Sequence, residues 1–147
     1  MAAPGGLAAE LRPVMTFRIA DEWVAVGIEQ LESVELASQL WPVPMARSEY
    51  IGLHDNGDEL VPILALDARA GHGGEQLFAV LQVRGESVGL AIQRAGQVHT
   101  GYTLEDAVTS PPALLASLAP RRARSGERSF WLIDTDKLWS PTAVAWV

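Results

Sequence analysis

His54, Asp55 and Asp58 crowd an imidazole and two carboxylates into five residues, a grouping with the right atoms to hold a divalent cation. The spacing argues against it. A calcium loop spreads its oxygen ligands over about twelve residues, whereas here only a short turn separates the carboxylates, so the cluster reads as a solvated hairpin tip. His72 and His99 form no spaced pair with another histidine, and without cysteine there is no thiolate ligand or nucleophile. Asp134 and Asp136 could be proposed as an acid and base pair. At the end of a strand candidate, however, Asp134 suits the cap of the turn that follows. The serines stand outside any G-x-S-x-G elbow, and Gly71-His72-Gly73-Gly74 lacks the lysine and hydroxyl of a phosphate cradle. Nothing in these residue types assembles an active site, and they imply neither metal nor cofactor.

The elements around them are short and β-prone. Tyr50–Leu53 and Leu60–Leu66 flank the polar turn Asp55-Asn56-Gly57-Asp58, where Asn-Gly offers the positive φ a hairpin turn needs. Pro62 cannot donate a ladder hydrogen bond, which predicts an edge strand or a bulge. Phe17 to Ile28 reads as strand, turn and strand, reversing at Ala20-Asp21-Glu22. Gln76–Val83 and Ser87–Gln93, joined at Arg84-Gly85-Glu86, form the strongest hairpin pattern, with further strands at Val98–Tyr102 and Ser129–Ile133. Residues 28–41 are ambiguous: Ile28, Leu31, Val34, Ala37 and Leu40 recur every three residues, closer to a helix than to a strand. Residues 41–47 form a proline-bounded connector, residues 113–119 a helical turn or two, and Asp134–Trp139 a capped terminal turn. Many short strands at this spacing predict an all-β barrel or sandwich.

A chain of 147 residues is large enough for a real core. The start, residues 1–14, has no basic n-region and reads as a flexible arm, while residues 141–147 form an apolar tail. No apolar run approaches the ~20 residues of a membrane helix, so no direct membrane insertion is expected and a cytoplasmic location fits. The formal net charge of −7 is unevenly placed: residues 1–70 carry eleven acidic and four basic side chains, residues 71–147 seven of each. This balance opposes nucleic-acid binding, which needs clustered cations. The one basic run, Arg121–Arg128, has no interleaved aromatics and reads as a solvated loop. Of the five tryptophans, Trp23 and Trp131 read as core, while Trp41, Trp139 and Trp146 are candidates for exposure and partner contact.

In sequence order, Phe17-Arg18-Ile19-Ala20-Asp21-Glu22-Trp23, Leu31-Glu32-Ser33-Val34, Pro42-Val43-Pro44-Met45, Tyr50-Ile51-Gly52, Leu60-Val61-Pro62-Ile63, Val88-Gly89-Leu90-Ala91-Ile92 and Phe130-Trp131-Leu132-Ile133-Asp134 with Leu138 make a series of individually weak motifs. Together, over about residues 15–139, the chain resembles the CheW-like family, the adaptor domains of bacterial chemosensory arrays. The resemblance implies a mainly β fold of two small five-stranded SH3-like β-barrels packed together, with a short C-terminal helix. It assigns residues 28–41 to a strand. It implies one domain over residues 15–140, its lobes divided near residues 70–75 and the chain returning to the first lobe at the end. It further implies a non-catalytic adaptor without cofactor. Its partners would be the regulatory domain of a CheA-like histidine kinase, a chemoreceptor tip, or both. The implied partner-binding residues are Leu31, Ser33, Val34, Gly57, Asp58, Val88, Leu90, Ile92 and Val98. Strand alternation turns only every second residue outwards, so several of these must be core.

The departures from the family pattern are specific. Its central turn usually reads Asn-Leu-Arg-Gly where this chain has Asp55-Asn56-Gly57-Asp58, so Gly57 replaces the docking arginine. The frequent glutamate of the preceding strand falls at Ser33, and the aspartate after the Val-Pro-Ile strand is Ala65, with Asp67 close behind. A kept fold with a weakened or re-specified receptor contact is the expectation. The competing reading is a small-molecule or peptide-binding β-barrel unconnected with chemosensing, for which an apolar cavity with a few convergent polar groups would speak. An enzyme is the class the motifs support least.

Overall fold

Tight reversals between strands set the architecture of the computed structural model, which describes residues 9–10, 12–42, 50–66, 75–105 and 121–138. Strands β2 (Val14–Ile19) and β3 (Glu22–Gly27) turn at Ala20 and Asp21, both at positive φ (51° and 63°). Strands β7 (Gln76–Val83) and β8 (Glu86–Ala91) turn the same way at Arg84 and Gly85, the mirror-image turn whose twist suits adjoining strands. Between β5 (Tyr50–Asp55) and β6 (Leu60–Leu64) the expected hairpin forms, but through a four-residue loop. Gly57 there has φ 97°, while Asn56 keeps an ordinary backbone and uses its side chain instead.

The remaining strands are β1 (Ala9–Glu10), β4 (Leu31–Ala37), β9 (Arg94–His99), β10 (Tyr102–Glu105), β11 (Arg121–Ser125) and β12 (Arg128–Leu132). Among the described residues they form two sheets. One has the order β1-β10-β11-β12-β3-β2-β9, the other β4-β7-β8-β6-β5. The expected two five-stranded barrels therefore become one five-stranded and one seven-stranded sheet. The expected lobe division lies near residues 70–75. Strands β7 and β8 lie beyond that point yet pair with β4 and β6, so the chain leaves the first sheet at residues 28–30 and comes back at residues 92–93. At the C-terminal end β12 pairs in parallel with β3 of the first sheet.

Burial explains this layering. Phe17, Ile19, Val24 and Val26 from the first sheet meet Leu81, Val83, Val88 and Leu90 from the second in a shared core, closed by Trp131, Ile133 and Leu138. The opposite faces of the same strands make two smaller cores: Ala25 with Val14, Ala123 and Phe130 in the first sheet, and Phe78 and Val80 with Val61, Ile63 and Ala91 in the second. Strands β3 and β7 are thus apolar on both faces, as doubly covered strands must be. Gly89 is forced by this packing, because a Cβ there would run into the end of Ile63 and press on Phe78. In the second sheet the chain beyond β4 crosses to the opposite edge, where Trp41 and Leu53 exchange backbone hydrogen bonds of 2.9 and 2.7 Å. The segment just beyond β4 thus pairs with β5, while β4 itself has a backbone partner only in β7 among the described residues.

Four further expectations change. The period-three pattern of residues 28–41 is a short 3-10 turn, Ile28–Gln30, followed by β4, as the family resemblance implied and as the periodicity did not. The short C-terminal helix is a single 3-10 turn, Thr135–Lys137, where the Asp134 carboxylate accepts from the Asp136 N–H at 3.2 Å. The basic run is not a loop: it spans β11 and the start of β12, with Gly126 in the left-handed region between them. Pro62 occupies neither an edge strand nor a bulge position. It stands on β6 between β5 and β8, immediately before pairing with β8 begins at Ile63. Of the expected arm, Ala9–Glu10 form β1 against β10 and Val14 opens β2. Residues 1–8, the connector at residues 43–47, the glycine break, residues 113–119, Asp67, Trp139, Trp146 and the tail lie outside the described residues.

Candidate partner-docking surface

Strand β4 is the edge of the second sheet among the described residues, and its sequence is unusual for an edge. Along Leu31–Ala37 burial alternates with period two, but the outward positions include Val34 (39% exposed) and Leu36 (56%). Edge strands ordinarily carry charge or proline on that side, which discourages pairing with another chain. Two apolar residues left in solvent on such an edge are what a docking strand requires. The same feature hid the strand from periodicity, because apolar side chains occupy both faces. Trp41 (53% exposed) and Leu60 (58%) are further large apolar residues left in solvent on this half of the molecule.

The inward side of β4 is polar at one end and fastens the edge to its neighbours. Ser33 is half-buried and its hydroxyl donates to Glu35 Oε2 at 2.6 Å. Glu35 Oε1 lies 3.3 Å from His54 Nε2 on β5, and the His54 ring meets Phe78 edge-on at 5.0 Å between centroids. His54 is therefore used between strands rather than toward Asp55 and Asp58. A second knot forms at the buried Ser87, whose Oγ lies 3.0 Å from Glu32 Oε1 on β4 and 2.8 Å from Glu59 Oε1 beside the hairpin tip. One hydroxyl proton serves one carboxylate at a time, and Gln82 Nε2 donates to the same oxygen at 3.0 Å. These contacts hold β4 and the β5–β6 tip in fixed relation.

The tip itself is organised by side-chain acceptors. Asp55 Oδ1 accepts from the Gly57 N–H at 2.9 Å, and Asn56 Oδ1 accepts from the N–H groups of Asp58 and Glu59 at 3.0 and 2.9 Å. Gly57 and Asp58 are exposed at its end. Space around Gly57 is open, but its φ of 97° is a conformation that side-chain-bearing residues rarely adopt. The position equivalent to the family's arginine is built here for glycine.

Of the nine expected partner-binding residues, Leu31, Ser33 and Val34 share β4, and Gly57 and Asp58 share the hairpin tip. Val98 stands apart on β9, the edge of the other sheet, and is 55% exposed. Its cross-strand partner Met15 packs, like Leu31, against the margin of the shared core. Val88, Leu90 and Ile92 are corrected: all three are buried in that core rather than at the surface. Val88 and Leu90 stand on β8, which has neighbours on both sides, and Ile92 follows directly after it. Leu36, Trp41 and Leu60 are the surface residues the sequence reading did not place together. Strict alternation from the exposed Val34 would have found Leu36.

A cavity of about 460 Å³ opens elsewhere, at one end of the first sheet, lined by Val14, Ile28, Leu132 and Ile133 with Arg12, Glu29, Arg121 and Asp134 among its polar groups. Among the described residues there is no group of three or more His, Cys, Asp and Glu side chains placed to hold a metal ion. No helix among them is long and apolar enough to cross a membrane.

Comparison with known proteins agrees with the β architecture. The family model of the CheW-like domain matches residues 13–139. Among solved structures, the scaffolding protein TtCheW from Thermoanaerobacter tengcongensis superposes with a TM-score of 0.64 at 15% sequence identity, covering 84% of this chain and 88% of that one. No curated protein matches the sequence.

Proposed function

This chain belongs to the CheW-like domain family, and from that premise we propose that it is a non-catalytic adaptor of a bacterial chemosensory-type pathway, working in the cytoplasm. Its partner is the regulatory domain of a histidine kinase, with a receptor tip as the second candidate. The observation that carries the reading is the apolar edge of β4, where Val34 and Leu36 face solvent on a strand with a free side. Docking on such an edge uses main-chain hydrogen bonds for affinity and alternate side chains for specificity. Leu31 lies on the same strand, and Val98, on the edge of the other sheet, is a separate candidate contact. The tip at Gly57 and Asp58 departs from the family's arginine-bearing turn, so the receptor contact is weakened or re-specified there.

The test is a calorimetric titration of the purified chain with the regulatory domain of a CheA-like histidine kinase from the same organism, repeated with Leu36→Asp and Val98→Asp. Binding by wild type that both variants lose, while their thermal melts stay unchanged, supports the reading. Equal binding by all three removes the β4 edge from the interface. The competing reading, a small-molecule or peptide-binding β protein, draws on the cavity of about 460 Å³, a size typical of ligand sites. A ligand that raises the melting temperature and is displaced by Leu132→Trp would favour it.

A further inference from the structure

Four strands of the first sheet bring three guanidinium groups onto one indole. Arg18 on β2 and Arg94 on β9 each lie with Cζ 5.4 Å from the centre of the Trp23 ring, and Arg128 on β12 lies at 3.9 Å. The cross-strand register dictates the grouping: Arg18 pairs with Trp23 on one side and with Arg94 on the other. The ring's seat is prepared as well. Gly96 faces it, and a Cβ there would approach the Trp23 Cζ3 to 2.7 Å and collide with the Thr16 hydroxyl. Arg94 is exposed, while Arg18, Arg128 and Trp23 are half-buried.

What distinguishes this cluster is the lack of carboxylates. Arg84 and Arg122 meet Asp136 and Glu105 at 3.9 and 3.4 Å. Among the described residues no ion pair reaches Arg18, Arg94 or Arg128, in a chain whose net charge is −7. Arg128 Nη1 is buried and makes no hydrogen bond there. Arg128 also lines a polar depression with His99, Gln97 and the β11–β12 turn, where Glu127 is the one acidic side chain. Gathering three like charges on one ring is unfavourable unless something anionic arrives. The attraction of the indole face for each cation offsets only part of that.

We infer that this face of the first sheet binds a short carboxylate-rich segment of a partner protein, with the three arginines taking Asp or Glu side chains over Trp23. Guanidinium groups accept carboxylates bidentately and stay charged at every working pH. The acidity of the rest of the molecule decides between occupants. A net charge of −7 opposes extended polyanions such as nucleic acid or an anionic membrane, which need cations spread over a wide surface, while a short acidic segment needs only the three arginines. This surface is independent of the β4 edge and stands whether or not that edge docks a kinase.

The experiment is fluorescence anisotropy of a fluorescein-labelled oligoglutamate peptide with the full chain at low ionic strength. Beside wild type stand Arg94→Glu, Arg128→Gln and, on the other sheet, Arg84→Gln. Wild type and Arg84→Gln should bind alike, and Arg94→Glu about tenfold or more weaker, as charge reversal in a complementary interface acts. Arg94 is exposed, so its variant stays folded even if Arg128→Gln does not, and a melt of each verifies this. No binding by wild type, or equal loss in Arg84→Gln, overturns the inference. Preference for anionic vesicles or duplex DNA over the peptide overturns it as well, and so does concentration-dependent self-association abolished by Arg94→Glu.

Discussion

Placing a side chain at Gly57 should destabilise the protein through the backbone alone. The residue has φ 97°, and a Cβ built there meets no heavy atom within 4 Å. Neighbours therefore neither oppose nor rescue a substitution; only the left-handed conformation does. An L-residue held there costs about 1–2 kcal/mol. For a chain near 150 residues, about 2–4 °C of melting temperature is lost per kcal/mol, so the expected fall is about 2–8 °C. Because the cause is shared, Gly57→Ala and Gly57→Arg should fall together despite their different size and charge. Thermal unfolding followed by circular dichroism reads both directly. Unchanged melting temperatures would refute the reasoning, and a large fall for arginine alone would point to a clash or a charge effect the geometry does not contain.

Core and surface should separate cleanly on opposite sides of the docking edge. Leu90→Ala, in the shared core, should lose about 2–5 kcal/mol in chemical denaturation, whereas Leu36→Asp should stay within about 0.5 kcal/mol of wild type; comparable losses would mean that the assignment of the two faces is wrong. His99 is held below its ordinary pKa of 6.5, first by burial and then by the Arg128 guanidinium. The unfolded chain thus takes up that proton more readily than the folded one. The stability contributed by neutral His99 is full above about pH 6.5 and is lost as pH falls through that value toward the lower folded pKa. His99→Gln should flatten this part of the acid limb in denaturation midpoints measured across pH, and curves that run parallel would contradict it.

The hairpins were legible because their turns announce themselves: Arg84-Gly85 and Asp55-Asn56-Gly57 carry the residues that positive φ or side-chain acceptors require. The buried strands were legible as apolar runs. What the sequence could not convey was which sheet each strand joins. The break at residues 71–74 looks like a boundary, yet the pairing of β7 with β4 spans it, and long-range pairing of this kind leaves no local mark. On β8, alternation put Val88 and Leu90 on one face but could not tell that this face is covered, so core residues passed for surface. On β4 the opposite happened, since Val34 and Leu36 are apolar and yet exposed, and their spacing imitated a helix. The arginine cluster was missed because Arg18, Arg94 and Arg128 are scattered in sequence and meet only across three strand pairings with β3 between.

The central claim, that the β4 edge is the docking surface, is tested most directly by amide hydrogen exchange of the chain with and without the histidine-kinase regulatory domain proposed as its partner. Slower exchange concentrated in Leu31–Ala37, with Leu53–Leu60 following through the contacts that tie the hairpin tip to β4, is the predicted result. Unchanged exchange in Leu31–Ala37 with protection gathered around the cavity at Val14, Leu132 and Ile133 would contradict it.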